Sequence, residues 1–221
     1  MGWVDTKSYK DRLKEARKKT NQDCAMLIAK GNLNGIDVTV GATNFEFIGG
    51  AHGAAETEAI IYAVQHAIDN KNPLCLLPSG GGQKMFEGPI ALAGMAKTTL
   101  AINELKKNNL PYIVVFCDPC TGGISASYAN LGDIQFSEPG AMIAFAGRRV
   151  VQATVKEELP IDFQSAEFLL KHGFVDRIVE RNSLTKEIGL ILSILLKKNS
   201  EVNSENNEQT SELSTQTREA S

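Results

Sequence analysis

The chain has 221 residues, a formal net charge of −3, 43% hydrophobic residues and 22% charged residues. These values are ordinary for one globular domain with a polar extension, and the net negative charge argues against a chain-wide nucleic-acid surface. No apolar run is long enough to span a bilayer, and no charged-then-apolar leader opens the chain. We therefore expect a protein of the cytoplasm or of an organelle matrix, with neither a membrane nor a nucleic acid as partner.

The first part of the chain predicts a helix, a strand pair and a second helix. Residues 5–20 are rich in Lys, Arg and Glu, with apolar residues at helical spacing, which is typical of an exposed helix. Residues 25–42 predict two strands around a glycine- and asparagine-rich turn, and residues 45–48 continue the extended pattern. A glycine-rich loop at 49–53 leads into a helix predicted at 54–69.

A unit of strand, glycine turn and helix then occurs twice. The apolar strand at 73–77 is followed by Ser79-Gly80-Gly81-Gly82 and by a helix predicted at 85–107. The apolar strand at 112–116 is followed by Thr121-Gly122-Gly123 and by a short helix predicted at 124–131. Further strands are predicted at 134–136 and 142–145, and further helices at 163–172 and 184–197. This alternation indicates the α/β class.

The composition changes after Lys198. Residues 199–221 are dominated by Asn, Ser, Glu, Thr and Gln, and aliphatic residues nearly vanish. Such a segment cannot bury enough apolar surface to offset the entropy lost on ordering. We therefore predict a core domain at 1–198 and a disordered polar tail at 199–221 without a catalytic role.

The cysteines are scattered, which argues against a disulfide framework. Cys117 and Cys120 form a C-x-x-C pair, which would suit half a zinc site or a redox pair. A tetrahedral zinc site needs two more ligands, and the sequence has neither a second C-x-x-C nor a closely spaced histidine pair. We predict no metal site in this chain.

The two glycine turns are the strongest candidates for a site of chemistry. Glycine permits positive φ and lets a ligand approach the backbone closely. The first amides of a following helix lack internal partners, so they would offer hydrogen bonds to an anion such as a thioester enolate. Phosphate binding is the rival interpretation. A P-loop needs Ser or Thr after Lys84, and a G-x-G-x-x-G pattern needs Gly at Met85, so both patterns fail.

Taken together, the motifs resemble the carboxyltransferase beta subunit of bacterial-type acetyl-CoA carboxylase. They run in order from about Val4 to Arg181 and cover nearly the whole predicted core. The clearest are Phe45-x-Phe47-Ile48-Gly49-Gly50, Ser79-Gly80-Gly81, Met95-Ala96-Lys97-Thr98, Asp118-Pro119-x-Thr121-Gly122-Gly123-Ile124-Ser125-Ala126-Ser127, Phe145-Ala146-Gly147-x-Arg149-Val150 and Leu159-Pro160-x-x-Phe163-Gln164.

The resemblance implies a crotonase-like fold of stacked β-β-α units and a role in the first step of fatty-acid synthesis. In this family a carboxyl group moves from carboxybiotin, held on a separate biotin carboxyl carrier protein, to the coenzyme A thioester acetyl-CoA, giving malonyl-CoA. The beta subunit works with a related alpha subunit in an α2β2 assembly, and the active site lies between them. The biotin anion can take the α-proton, so no side-chain base is required.

The resemblance also assigns candidate site residues. Backbone amides of Gly81 or Gly82 and of Gly122 or Gly123 are predicted to stabilise the enolate-like oxygens. The predicted substrate-binding positions are Gly49, Gly50, Gly80 and Lys84.

The chain departs from the family pattern in several places. The first turn has one extra residue, and Lys84 stands where the family has Arg, which keeps the charge but loses the planar fork. Arg148 replaces a proline, and His52 stands where the family usually has Met. The sequence opens at the first helix of the core, without the family's four-cysteine zinc ribbon. Zinc binding and nucleic-acid binding are therefore not expected.

Two alternatives remain open at this stage. The segment around Ser125 could pass for the nucleophile turn of a serine hydrolase on the same fold, but none of His52, His66 and His172 has a recognisable triad context. The altered first turn and the absent ribbon also suit a structural subunit that kept the fold and lost activity.

Overall fold

A computed structural model describes residues 6–155 and 157–197 of the chain. The helices are α1 Tyr9–Thr20, α2 Ala54–Asn70, α3 Pro89–Lys107, α4 Arg148–Val155, α5 Ala166–Lys171 and α6 Leu184–Leu195. The strands are β1 Met26–Leu33, β2 Ile36–Thr43, β3 Leu74–Leu77, β4 Tyr112–Phe116, β5 Cys120–Thr121, β6 Ile134–Ser137, β7 Ile143–Ala144 and β8 Arg177–Ile178. The polar tail predicted at 199–221 lies outside the described residues.

The main sheet has six strands in the order β1-β2-β3-β4-β6-β8. The predicted strand pair is confirmed: β1 and β2 form an antiparallel hairpin, and the turn residues Asn34 and Gly35 adopt φ of 52° and 79°. All other neighbours in this sheet are parallel. A separate two-stranded parallel sheet joins β5 to β7.

Helices cover both faces of the main sheet. Successive residues of β4 point to opposite sides, because side chains alternate along a strand. Tyr112 and Val114 pack in a core that includes Ile60 of α2 and Ile102 of α3. Their neighbours in β4 pack in a second core with residues of α6. A strand buried on both faces explains why β4 reads as a continuous apolar run.

Two predicted elements are wrong for local reasons. Residues 45–48 are not extended, because the Asn44 side chain accepts a hydrogen bond from the Glu46 amide at 2.9 Å and starts a turn. The helix predicted from Met85 starts instead at Pro89. Gly88 adopts φ of +57° and interrupts the backbone, so residues before it form only a short 3-10 turn.

The helix predicted at 124–131 is also wrong. The segment consists of turns that end in a 3-10 turn, Ala129–Leu131. The Ser125 hydroxyl donates to the carbonyl of Ala144 at 2.7 Å, and the Ser127 hydroxyl donates to the carbonyl of Gly123 at 2.6 Å. Such side-chain hydrogen bonds compete with the helical pattern. Neither glycine turn therefore opens directly onto an α-helix, so the predicted free amides of a helix start do not directly follow either turn.

The strand predicted at 142–145 is shorter, and helix α4 was not predicted. None of the helices in the described ranges is both long enough and apolar enough to cross a membrane.

Candidate active site

The two glycine turns, residues 79–82 and residues 121–123, lie against each other. The Gly80 amide donates to the Pro119 carbonyl at 2.6 Å, and the Thr121 amide donates to the Gly80 carbonyl at 3.0 Å. An ideal Cβ placed on Gly82 would lie 3.5 Å from the Gly122 Cα. The pattern of strand, turn and helix predicted only that each turn follows a buried strand. The structure brings the two turns into direct contact.

The glycine loop at 49–53 packs against the first turn. A Cβ on Gly50 would lie 2.2 Å from the Ser79 carbonyl oxygen, and a Cβ on Gly80 would lie 2.4 Å from the Gly50 carbonyl oxygen. Both contacts are with backbone, so neither neighbour can move aside cheaply. Glycine at these two positions is thus explained by close backbone packing, and their predicted contact with substrate stays a prediction, as does that of Gly49.

The hydrogen bonds separate the four predicted amide donors into two pairs. The Gly81 amide donates to the Gly49 carbonyl at 3.2 Å, and the Gly122 amide donates to the carbonyls of Ala144 and Phe145, each at 3.1 Å. Among the described residues, no acceptor is bonded to the amide of Gly82 or of Gly123. An ideal Cβ on Gly82 would lie 3.5 Å from the Gly123 nitrogen, so these two amides are near neighbours. Of the four predicted donors, these two amides are therefore the ones that could donate hydrogen bonds to a ligand.

The Lys84 side chain is buried, which the sequence did not indicate. It is only 2% exposed, and its ammonium lies 2.9 and 2.8 Å from the two carboxylate oxygens of Glu56. Those oxygens also accept hydrogen bonds from the backbone amides of Ala25 and Gly53, each at 2.9 Å. The prediction that Lys84 binds substrate stays a prediction, and here its ammonium is committed to Glu56.

The carboxylate of Glu56 is held in its charged form. Burial alone would raise the pKa of Glu56, but the charge and hydrogen bonds of Lys84 and the two backbone amides together lower it. Sequence reasoning missed Glu56, because a glutamate in the first turn of a helix is an ordinary surface residue. Its burial follows only from the tertiary packing.

His52 was predicted as a loop residue, and it lies in a loop but is buried. Its Nε2 lies 3.3 Å from the Tyr128 hydroxyl, and the two rings stack with centroids 5.3 Å apart. Burial lowers the pKa of His52 to about 4, so the imidazole is neutral at physiological pH. Its amide donates to the Gly82 carbonyl at 2.9 Å, and its carbonyl accepts the Lys84 amide at 2.7 Å. His52 therefore supports the first turn through its backbone.

The geometry does not support a serine nucleophile. Ser125 is buried, and its hydroxyl donates to the carbonyls of Gly122 and Ala144 at 2.9 and 2.7 Å. In the described part of the chain, His52 contacts Tyr128, while the other two histidines bond to Thr39 and to the Phe168 carbonyl. No histidine in these ranges pairs with Ser125, so the hydroxyl lacks the base that nucleophilic catalysis requires.

The C-x-x-C pair is not part of a wider ligand cluster. Cys117 and Cys120 are both free thiols. Across residues 6–155 and 157–197, no group of three or more His, Cys, Asp or Glu side chains is arranged to hold a metal ion.

The fold agrees with comparisons to known proteins. A family model described as carboxyl transferase domain matches residues 4–217. Two solved structures share the fold. Transcarboxylase 12S superposes with a TM-score of 0.69 at 21% identity, covering 76% of this chain and 34% of that one. The Pseudomonas malonate decarboxylase MdcD-MdcE heterodimer gives a TM-score of 0.67 at 21% identity, covering 76% of both chains. The predicted crotonase-like α/β fold is confirmed.

Sequence relatives show which carboxyl transferases this chain resembles. The chain is 59% identical over 208 residues to the acetyl-coenzyme A carboxylase carboxyl transferase subunit beta of Pelagibacter ubique (strain HTCC1062), covering 94% of this chain and 67% of the relative. It is 46% identical over 194 residues to the same subunit of Rhizobium meliloti (strain 1021), covering 88% and 64%. The chain spans about two thirds of the length of these relatives. It belongs to the carboxyl transferase family, with the beta subunits of acetyl-coenzyme A carboxylase.

Proposed function

We propose that this chain is the beta subunit of a carboxyltransferase that moves a carboxyl group from carboxybiotin to acetyl-CoA, giving malonyl-CoA. Biotin would enter as a co-substrate on a biotin carboxyl carrier protein. The observation that carries the proposal is the pair of neighbouring amides of Gly82 and Gly123, which have no acceptor among the described residues. The names of the sequence relatives support the choice of reaction.

The chemistry follows from where negative charge develops. Removal of the α-proton from an acyl thioester places negative charge on the thioester oxygen. Backbone amides aimed at that oxygen stabilise the charge, and they do so more strongly in a site that excludes water. Gly82 and Gly123 are both buried, which suits this role. Loss of one such donor costs roughly 3 to 4 kcal/mol of transition-state stabilisation.

The side chains around the turns leave proton transfer to the co-substrate. His52 is neutral and stacked on Tyr128, while Lys84 is held by Glu56. Neither side chain is placed as a general base for the thioester. The ureido nitrogen of biotin, once it has released the carboxyl group, supplies the base, as the family resemblance implies.

A partner subunit is the second part of the proposal. Helix α3 exposes Ile90, Leu92 and Leu100 at 65%, 61% and 67%, and the segment before α4 exposes Phe145 at 69%. Exposed apolar surface, where it is contiguous, commonly marks a protein interface. We assign these side chains to contacts with a carboxyltransferase alpha subunit in an α2β2 assembly, with the active site completed between the subunits. The proposed location is the cytoplasm or an organelle matrix.

The reverse half-reaction tests the proposal. The chain, a carboxyltransferase alpha subunit, free biotin and malonyl-CoA are mixed, and acetyl-CoA formation is followed. We expect formation that depends on both subunits and on biotin. If the alpha subunit is active with another beta subunit but inactive with this chain, the proposed activity is contradicted and the structural-subunit alternative is supported.

A further inference from the structure

A buried ion pair lies next to the first glycine turn, and the proposed reaction does not use it directly. Lys84 is two residues beyond Gly82, and the side chains of Lys84 and Glu56 are only 2% and 0% exposed. A buried ion pair is a poor source of stability, because desolvation offsets much of the attraction between its charges. Apolar side chains of similar size would serve a purely structural purpose equally well. Stability alone therefore does not explain why this ion pair is buried here.

The hydrogen bonds show what the pair is attached to. Glu56 accepts the amide of Gly53, and the ammonium of Lys84 reaches both of its oxygens. Lys84 also donates its own amide to the His52 carbonyl at 2.7 Å, while the His52 amide donates to the Gly82 carbonyl at 2.9 Å. Gly82 and Lys84 are thus fastened to the same short segment at the start of α2.

Gly82 needs such an attachment more than other residues do. It adopts φ of +118°, a region that glycine enters freely, and it has no side chain to pack. A small rotation there would turn its amide away from a ligand. The bond from the Gly81 amide to the Gly49 carbonyl anchors one side of Gly82, and the contacts of His52 and Lys84 anchor the other side.

We propose that Lys84 and Glu56 are positioning residues that hold the Gly82 amide toward the oxygen that gains charge during carboxyl transfer. This inference rests on the proposed function. Neither side chain touches the substrate, and both act through the backbone of Gly82.

Further contacts keep the ammonium in place. Glu87 lies 3.7 Å from the Lys84 nitrogen and accepts the Ala54 amide at 2.6 Å, so it is tied to the same helix start. The ammonium also lies 5.6 Å from the centre of the Phe47 ring, within range of a cation–π contact. The cation is therefore surrounded on several sides, and a neutral side chain of similar length would lose all of these attractions at once.

The test uses substitutions in the full chain, assembled with its alpha subunit. Lys84→Met removes the charge and keeps the length. Lys84→Met combined with Glu56→Gln avoids leaving a buried carboxylate without a partner, and Lys84→Arg restores the cation. Lys97→Met is the matched control. Lys97 pairs at 2.7 Å with Glu58, which lies in α2 as Glu56 does, but the Lys97 side chain is 59% exposed.

The readouts are kcat, KM for malonyl-CoA, and the amide resonance of Gly82 in isotope-labelled chain. We expect kcat to fall about a hundredfold in Lys84→Met and in the double variant, as for a misplaced catalytic group, with KM changed little. Lys84→Arg should recover most of the loss, and Lys97→Met should match the unmodified chain. The Gly82 resonance should shift or broaden only where the cation is lost.

Combining Lys84→Met with Gly82→Ala separates positioning from a general structural effect. If Lys84 acts through Gly82, the combined loss of kcat should be close to the larger single loss, because both changes disable the same amide. Losses that multiply would overturn the inference, as would folded Lys84→Met enzyme with unchanged kcat and an unchanged Gly82 resonance. An unmodified complex without activity would count against the proposed function alone, since the resonance would still report whether the ion pair holds Gly82.

Discussion

Replacing Gly82 with alanine tests the assignment of the donor amides. Gly82 adopts φ of +118°, where a residue with a Cβ is strained by roughly 1 to 3 kcal/mol. Its nearest neighbour would be 3.5 Å from the added Cβ, so there is room for the methyl group. The chain should therefore fold and relieve the strain by rotating the turn, which moves the amide. Loss of that donor should lower kcat by about a hundredfold to a thousandfold.

Gly81→Ala is the informative comparison. Gly81 does not have positive φ, and an added Cβ would have no heavy atom within 4 Å. Its amide already donates to the Gly49 carbonyl, so kcat should change little. Gly31→Ala in β1 serves as a remote control, because its Cβ also meets nothing within 4 Å.

The assay measures kcat and KM for malonyl-CoA with an unmodified alpha subunit, beside the melting temperature of each variant. Folded Gly82→Ala with full kcat would refute the assignment of the donor amides, as would a loss of kcat in Gly81→Ala as large as that in Gly82→Ala.

Three other substitutions follow from the same geometry. Gly50→Ala would place a Cβ 2.2 Å from the Ser79 carbonyl oxygen at φ of +64°, so the free energy of unfolding should fall on the order of 3 kcal/mol in a urea titration. His52 stays neutral when buried but takes a proton when unfolded, so stability should fall by up to about 3 kcal/mol as the pH drops from 6.5 toward 4. His52→Met should remove that part of the slope, and equal slopes in both proteins would contradict the burial argument. Ser125→Ala should keep carboxyl transfer, since its hydroxyl bonds only to backbone carbonyls, and an ester-hydrolase activity abolished by this change would revive the hydrolase alternative.

The buried elements were predictable because their signals are local. Local sequence alone shows the apolar runs of β3 and β4 and the helical spacing of apolar residues in α2. The errors arose where side chains compete with the backbone pattern. Asn44 turns the chain before residues 45–48, and the hydroxyls of Ser125 and Ser127 bond to the backbone carbonyls of Ala144 and Gly123 in a segment made of turns.

The site was predictable only in part. Glycine after a buried strand indicated both turns, but the choice of donor amides depends on distant carbonyls. Phe145 and Ala144 engage Gly122, which leaves Gly123 available. The pair of Lys84 and Glu56 joins residues 28 positions apart, and neither residue carries a sequence signal for burial. Such contacts appear only once the fold has brought the segments together.

The most direct measurement of the central claim follows the backbone amides themselves. Isotope-labelled chain, in complex with its alpha subunit, is titrated with a stable enolate-like analogue of acetyl-CoA, and the glycine amide resonances are recorded. The amides of Gly82 and Gly123 should shift strongly, while those of Gly81 and Gly122, which already donate within the protein, should shift less. Saturation of the complex with the analogue while the resonances of Gly82 and Gly123 stay unshifted would contradict the account.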